Sequence, residues 1–235
     1  MSHQVLSDPE ISMTTTAAPS SPLPAYSPGE ELANVATHGL GAIASGAGLA
    51  ILLVYSAWFG DAWHVVSTAI FGATMILLYA ASTVYHASSH PRTRHAAKVL
   101  DHASIYLLIA GSYTPFTLLA LRGPFGWGLF AAVWGLALVG AGLEAFWVYR
   151  PRWVSAVIYL AMGWMVVLAG RRLVDALPPG ALALLVAGGL LYSLGTVFYV
   201  MKRIRYAHAV WHGFVLGGST CHFLAVVLLV LPVAR

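Results

Sequence analysis

From about residue 30 to its end, the chain is a succession of seven apolar runs, at roughly 33–58, 63–88, 95–121, 126–147, 152–171, 179–200 and 206–231. About 20 apolar residues in helical conformation cross the hydrocarbon core of a bilayer, so each run is long enough to span one. The breaks between runs carry turn and helix-end residues: Phe59-Gly60-Asp61, Ser88-Ser89-His90-Pro91, Arg122-Gly123-Pro124, Tyr149-Arg150-Pro151, Leu177-Pro178-Pro179-Gly180 and Lys202-Arg203. Every break is short, so consecutive helices are expected to be antiparallel neighbours, with no extramembrane domain between them. The expected fold is all-α, a polytopic membrane protein of seven transmembrane helices. Composition agrees, because only 9% of residues are charged, against about 25% in an ordinary soluble domain. That shortfall excludes a soluble globular enzyme, a disordered regulator and a nucleic-acid binder with a basic face.

Residues 1–29 differ from the rest. They are rich in Ser, Thr, Pro and Ala, with no Lys or Arg and no apolar block. They lack the basic start and hydrophobic run of a secretory signal and read as a disordered tail. The single cysteine, Cys221, lies inside an apolar run, so no disulfide within the chain and no thiolate metal cluster is expected.

Orientation is expected from the placement of Lys and Arg. Arg92, Arg94, Lys98, Arg150, Arg152, Lys202, Arg203 and Arg205 fall on one side, eight of the twelve cationic residues. Arg122, Arg171, Arg172 and Arg235 fall on the other. Basic loops stay in the cytoplasm, and an odd helix count puts the termini on opposite sides. The N-terminus and residues 1–29 are therefore expected in the cytoplasm and the C-terminus outside. Trp58, Trp63, Trp127, Trp147, Tyr149 and Trp153 near the run ends suit interfacial belts, and Gly213 and Gly217 suit close helix packing.

Ten histidines outnumber eight carboxylates. A charge or imidazole inside a span is costly, usually faces the bundle interior and marks function. Helix 1 opens with Glu31, Asn34 and His38, at spacings that share one face. Helix 2 carries Ser82 and His86 near its cytoplasmic end. Helix 3 carries Asp101 and His102, and helix 7 carries His208 and His212, with His222 deeper. Helix parity brings this set, from four helices far apart in sequence, into one half of the membrane.

The residue types suggest zinc. His208 and His212, four apart, can bring two imidazoles to one ion, and His86 supplies a third. Three histidines leave the open fourth position of a catalytic zinc. Asp101 reads either as a fourth ligand or as the general base that holds the metal-bound water. Ser82, one turn from His86, could bind that water or a substrate carbonyl. Glu31, Asn34 and His38, with the deeper His222, read as residues that surround and orient the ligands. Helix 7 lacks the Glu of an HExxH metalloprotease, since Ala209 follows His208. His64, His90 and His95 read as interfacial and His102 as packing, and Glu144 reads as a partner of Arg150 or Arg152.

These motifs carry a resemblance. Glu31-x2-Asn34-x3-His38, Ser82-x3-His86 followed by Asp101, and His208-x3-His212 with Gly218-Ser219-Thr220-Cys221-His222-Phe223 occur in order. With Ala110-Gly111-Ser112-Tyr113-Thr114-Pro115-Phe116, they resemble the hemolysin III family, the bacterial branch of the progestin and adipoQ receptor (adiponectin receptor-like) superfamily. The resemblance covers residues 29 to 232. It implies a seven-helix fold with a cytoplasmic N-terminus, in a bacterial cytoplasmic membrane. It also implies zinc at the positions matching His86, His208 and His212, with Asp101 near the metal-bound water. The wider superfamily includes alkaline ceramidases, which hydrolyse lipid amides.

Three functions follow as expectations. The first is an intramembrane zinc hydrolase acting on an amide or ester of a membrane lipid that enters between helices. The second is a non-enzymatic sensor or regulator of membrane fluidity or energetics, with a structural zinc. The third, a pore-forming hemolysin, has little support, because pore linings repeat polar positions through the full depth and here they occupy one half.

Overall fold

The structure, a computed structural model, describes residues 26–201 and 203–231. The reading of the tail as disordered falls largely on residues 1–25, and Lys202 and Arg235 entered the charge argument. All of these lie outside the described residues. Among the described residues there is helix and no strand. Seven helices are long and apolar enough to cross a membrane: α1 Pro28–Phe59, α2 Ala62–Ala87, α3 Pro91–Ala120, α4 Pro124–Trp147, α5 Arg152–Ala176, α6 Pro179–Val200 and α7 Ala207–Val230. The seven expected runs are these helices, and the chain is a multi-pass membrane protein.

Local chemistry sets the ends. Ser27 caps α1: its hydroxyl accepts from the Glu30 amide at 3.4 Å, while the Glu30 carboxylate accepts from the Ser27 amide at 3.0 Å. This reciprocal pair starts the helix at Pro28, so that Pro28 and Gly29, expected in the tail, belong to α1. Asp61 caps α2 by accepting from the amides of Trp63 and His64. Proline stands at the start of α1, α3, α4 and α6, where its missing N–H costs nothing.

Two helices depart from regular winding. In α3, Pro115 cannot donate to the helical ladder, and the turn Phe116–Ala120 widens to π geometry. In α5, the segment Trp164–Ala169 tightens to 3₁₀ geometry. The cause is Tyr113 of α3. Its hydroxyl donates to the Gly163 carbonyl at 2.6 Å and accepts from the Val166 amide at 2.7 Å. A side chain inserted into the ladder interrupts it. The fifth helix runs on to Ala176, beyond the expected end at 171, so that Arg171 and Arg172 lie on its last turns.

The core is filled by apolar and tyrosine side chains of all seven helices, among them Leu52, Phe71, Tyr79, Tyr106, Val133, Tyr159, Ala181 and Val226. Close approach of α6 and α7 depends on Gly188, Gly195 and Gly218, where a Cβ would meet His222, Trp211 and Tyr192 respectively. The expected pair differs: Gly213 faces open space, and only Gly217 approaches a neighbour, Leu191. Large apolar side chains such as Phe146, Trp58, Leu32 and Leu168 point outward, as a helix bundle bathed in lipid requires. Arg92, Arg94, Arg150, Arg152, Arg203 and Arg205 share one end of the bundle, called here the basic end.

Candidate metal centre

The four polar helices converge at the basic end. α2 carries His86 one residue before its C-terminus, and α7 carries His208 and His212 in its first two turns. The imidazoles of His86, His208 and His212 each place a nitrogen within 4.8 Å of the other two. Nε2 of His86 and Nε2 of His208 are 3.2 Å apart.

The neighbours on α1 decide which nitrogens are free. Nδ1 of His86 lies 2.7 Å from the Glu31 carboxylate, which can only accept, so the Nδ1 proton is held there. The Asn34 amide lies 3.3 Å from the same nitrogen, and Arg94 pairs with the other oxygen of Glu31. The Thr37 hydroxyl donates back to the carbonyl of Ala33 at 2.8 Å. Its oxygen then accepts from Nδ1 of His212 at 3.1 Å. In both rings Nε2 is left with its lone pair. His38 lies flat on His212, with ring centroids 3.4 Å apart and planes 13° from parallel. Its far side meets the edge of Tyr79.

Three imidazole nitrogens this close together could hold a cation between them. A tetrahedral ion with metal–nitrogen bonds near 2.0–2.1 Å separates its nitrogen ligands by about 3.3 Å, close to the spacing of His86 and His208. The donor set of three imidazoles, two of them held by an outer hydrogen bond, fits zinc chemistry.

Beyond the histidines lies a cavity of about 250 Å³ among α2, α3, α5, α6 and α7. Asp101 and Ser82 line it together with His38, His208 and His212. The Ser82 hydroxyl is buried beside the Asp101 carboxylate. The rest of the wall is mostly aliphatic and aromatic. On one side it includes residues that also face outward, Trp164 and Val167 of α5 and Val186 of α6, with Val167 64% exposed. The cavity therefore opens sideways between α5 and α6, beside the 3₁₀ segment.

Tyr26 closes the basic end. Its ring stacks on His208 at 5.3 Å, and its hydroxyl accepts from Arg152 at 2.7 Å. Burial pushes the Tyr26 phenol up from its ordinary value.

The structure brings together His86, His208, His212, Glu31, Asn34 and His38, and sets Asp101 and Ser82 on the adjoining cavity. It does not bring His222 to this group: His222 contacts Leu185 and Tyr192 instead. His102, read as packing, also lines the cavity, with Nδ1 3.8 Å from buried Glu144. Glu144 pairs with Arg150, whereas Arg152 serves Tyr26 and the Tyr199 carbonyl. His95 meets the Tyr149 hydroxyl at 2.7 Å, and His64 sits on the Asp61 cap. Sequence reasoning missed Thr37 and Tyr26. Thr37 had a signal, lying three residues after Asn34 on the same helix. Tyr26 had none, since it precedes the first helix in a segment of low complexity.

Comparison with known proteins adds the relatives. Residues 26–223 match the sequence profile of a family described as haemolysin-III related. A Hemolysin-3 homolog of Bacillus subtilis is 45% identical over 197 residues, covering 84% of this chain and 92% of the relative. Hemolysin-3 of Bacillus cereus is 45% identical over 205 residues, covering 87% and 94%. The human monocyte to macrophage differentiation factor is 31% identical over 205 residues, covering 84% and 83%.

Proposed function

The chain belongs to the haemolysin-III related family, and from that premise we propose that it is a zinc-dependent hydrolase of amide or ester bonds in membrane lipids. The observation that carries this reading is the cluster of three imidazoles, two with Nδ1 engaged on α1, beside an apolar cavity that also holds a carboxylate and a hydroxyl. His86, His208 and His212 would hold the ion. Bound there, zinc supplies Lewis acidity, which polarises a carbonyl and makes a water a better nucleophile near neutral pH.

The remaining chemistry belongs to the chain's own groups. The aliphatic wall takes the acyl chain of a lipid that enters between α5 and α6 and excludes bulk water from the scissile bond. The Ser82 hydroxyl donates to the carbonyl oxygen. The Asp101 carboxylate takes a proton as water oxygen adds to the carbonyl carbon. It then returns that proton to the leaving nitrogen or oxygen as the carbon–nitrogen or carbon–oxygen bond breaks. The products are a fatty acid and the freed amine or alcohol. Tyr26 and Arg152 seal the basic end. By the distribution of basic residues that end faces the cytoplasm, and bacterial relatives support a bacterial cytoplasmic membrane.

The test incubates purified protein with a panel of ceramides and phospholipids. Fatty acid release that requires zinc and disappears in Asp101→Ala supports the reading. A regulator whose zinc only joins α2 to α7 gives the opposite pattern: no turnover across the panel, lower thermal stability in His86→Ala, and an almost silent Asp101→Ala.

A further inference from the structure

His222 lies on α7 ten residues beyond His212, about 15 Å along the helix axis. Its ring is fixed on three sides. Nε2 is 3.2 Å from the carbonyl oxygen of Leu185, the Tyr192 ring meets it edge-on at 5.4 Å, and Gly188 leaves just the room it needs, since a Cβ there would lie 2.7 Å from Nε2. A carbonyl oxygen can only accept, so in the neutral ring the proton is on Nε2 and Nδ1 is an acceptor. That Nδ1 is buried and has no partner among the described residues, in a side chain only 8% exposed.

The position of this acceptor is specific. His222 lines the main cavity and also a smaller one of about 50 Å³ that continues beyond it, so it stands at their junction. Ser112 of α3 lines both as well. Its hydroxyl hydrogen is committed to the Ile109 carbonyl at 2.8 Å, which leaves its oxygen able to accept. The Tyr113 hydroxyl beside them is spent on Gly163 and Val166. The junction therefore offers acceptors in an otherwise apolar wall. Buried polar groups are normally paired, and acceptors without a donor define what the missing partner must be.

We propose that His222, with Ser112, is a second polar station in the cavity that accepts a hydrogen bond from a hydroxyl on the chain of a bound lipid. The polar head of that lipid lies at the metal centre and the hydroxyl about 15 Å away. The proposal rests on the reading that the cavity takes a lipid, and goes beyond it by naming the class: an amphiphile with a mid-chain hydroxyl.

The experiment uses the full chain in detergent and measures displacement of a fluorescent polyene fatty acid by stearic acid and by a mid-chain hydroxystearic acid. The expected result is a preference of about three- to tenfold for the hydroxy acid in wild type. His222→Leu should lose that preference while still binding stearic acid, and His222→Gln, which keeps an acceptor, should retain part of it. A series with the hydroxyl moved along the chain gives a second reading on wild type alone, with the preference greatest in mid-chain and absent beside the carboxyl. Equal displacement by both acids in wild type, a flat positional series, or an undiminished preference in His222→Leu overturns the proposal and leaves the lipid cavity standing. Failure of both acids to displace the probe overturns the lipid cavity and the proposal with it.

Discussion

The Glu31 carboxylate lies 2.7 Å from Nδ1 of His86, and this contact leaves Nε2 as the nitrogen of that ring that faces His208, 3.2 Å away. A carboxylate on the outer nitrogen fixes the tautomer and raises the basicity of the inner one. Glu31 is itself held by Arg94, so α1, α2 and α3 meet at a single ligand.

Replacing Glu31 by Gln keeps the shape and removes the charge. Loss of such an outer partner typically weakens metal binding by about 10–100-fold. Competition with a zinc chelator measures it, and unchanged affinity would show that the carboxylate plays no part in holding the ring.

Thr37→Val removes the oxygen that accepts the Nδ1 proton of His212, leaving a buried donor unpaired. The expected cost is about 1–3 kcal/mol of stability, read as a lower unfolding midpoint, together with weaker metal retention. Stability unchanged within error would mean that His212 is positioned by the His38 stack alone.

Asp101→Asn separates ligand from base. Asp101 faces the cavity beside the three histidines, and a general base contributes about 10²–10⁴-fold to turnover. The variant should keep its metal and lose lipid hydrolysis by that order. Loss of metal in the same variant would make Asp101 a direct ligand.

Tyr113→Phe tests the break in α5. Without the hydroxyl, the Gly163 carbonyl and the Val166 amide lose their shared partner. A drop of about 1–3 kcal/mol in unfolding free energy is expected, with hydrogen exchange rising at Val166 first. Uniform exchange along α5 would contradict the assignment of the 3₁₀ segment to this contact.

At the other end of the bundle, Asp61 caps α2 and pairs with His64 and Arg122. Hydrogen bonds from the His64 side chain and amide pull its carboxyl down to about 2, below the ordinary value of about 3.9. A group with a depressed folded pKa contributes stability that is full above its unfolded pKa and lost as pH falls through its folded one. The difference in melting temperature between wild type and Asp61→Ala should therefore shrink as pH falls from about 4 toward 2. A difference that grows on acidification contradicts the cap.

Much of this architecture is legible in the residues. Run length gives the seven helices because the bilayer fixes the length of a span, and helix parity places His86, His208 and His212 at one depth. What was not legible depends on contacts between helices. Tyr113 lies far in sequence from Gly163, so no local pattern announces the break it causes in α5. His102 follows Asp101 directly, and adjacent helix positions diverge, yet the cavity is wide enough to take both. His222 shares a helix with the other histidines, but ten residues of rise carry it to the far end of the cavity, so a common helix is not a common site.

The central claim is a single ion held by three imidazoles. Metal analysis of purified wild type beside His86→Ala, His208→Ala and His212→Ala tests it most directly. The account predicts about one zinc per chain in wild type and loss of most of it in each variant. Full retention of metal in all three variants, or no metal in wild type purified without chelator, would contradict it.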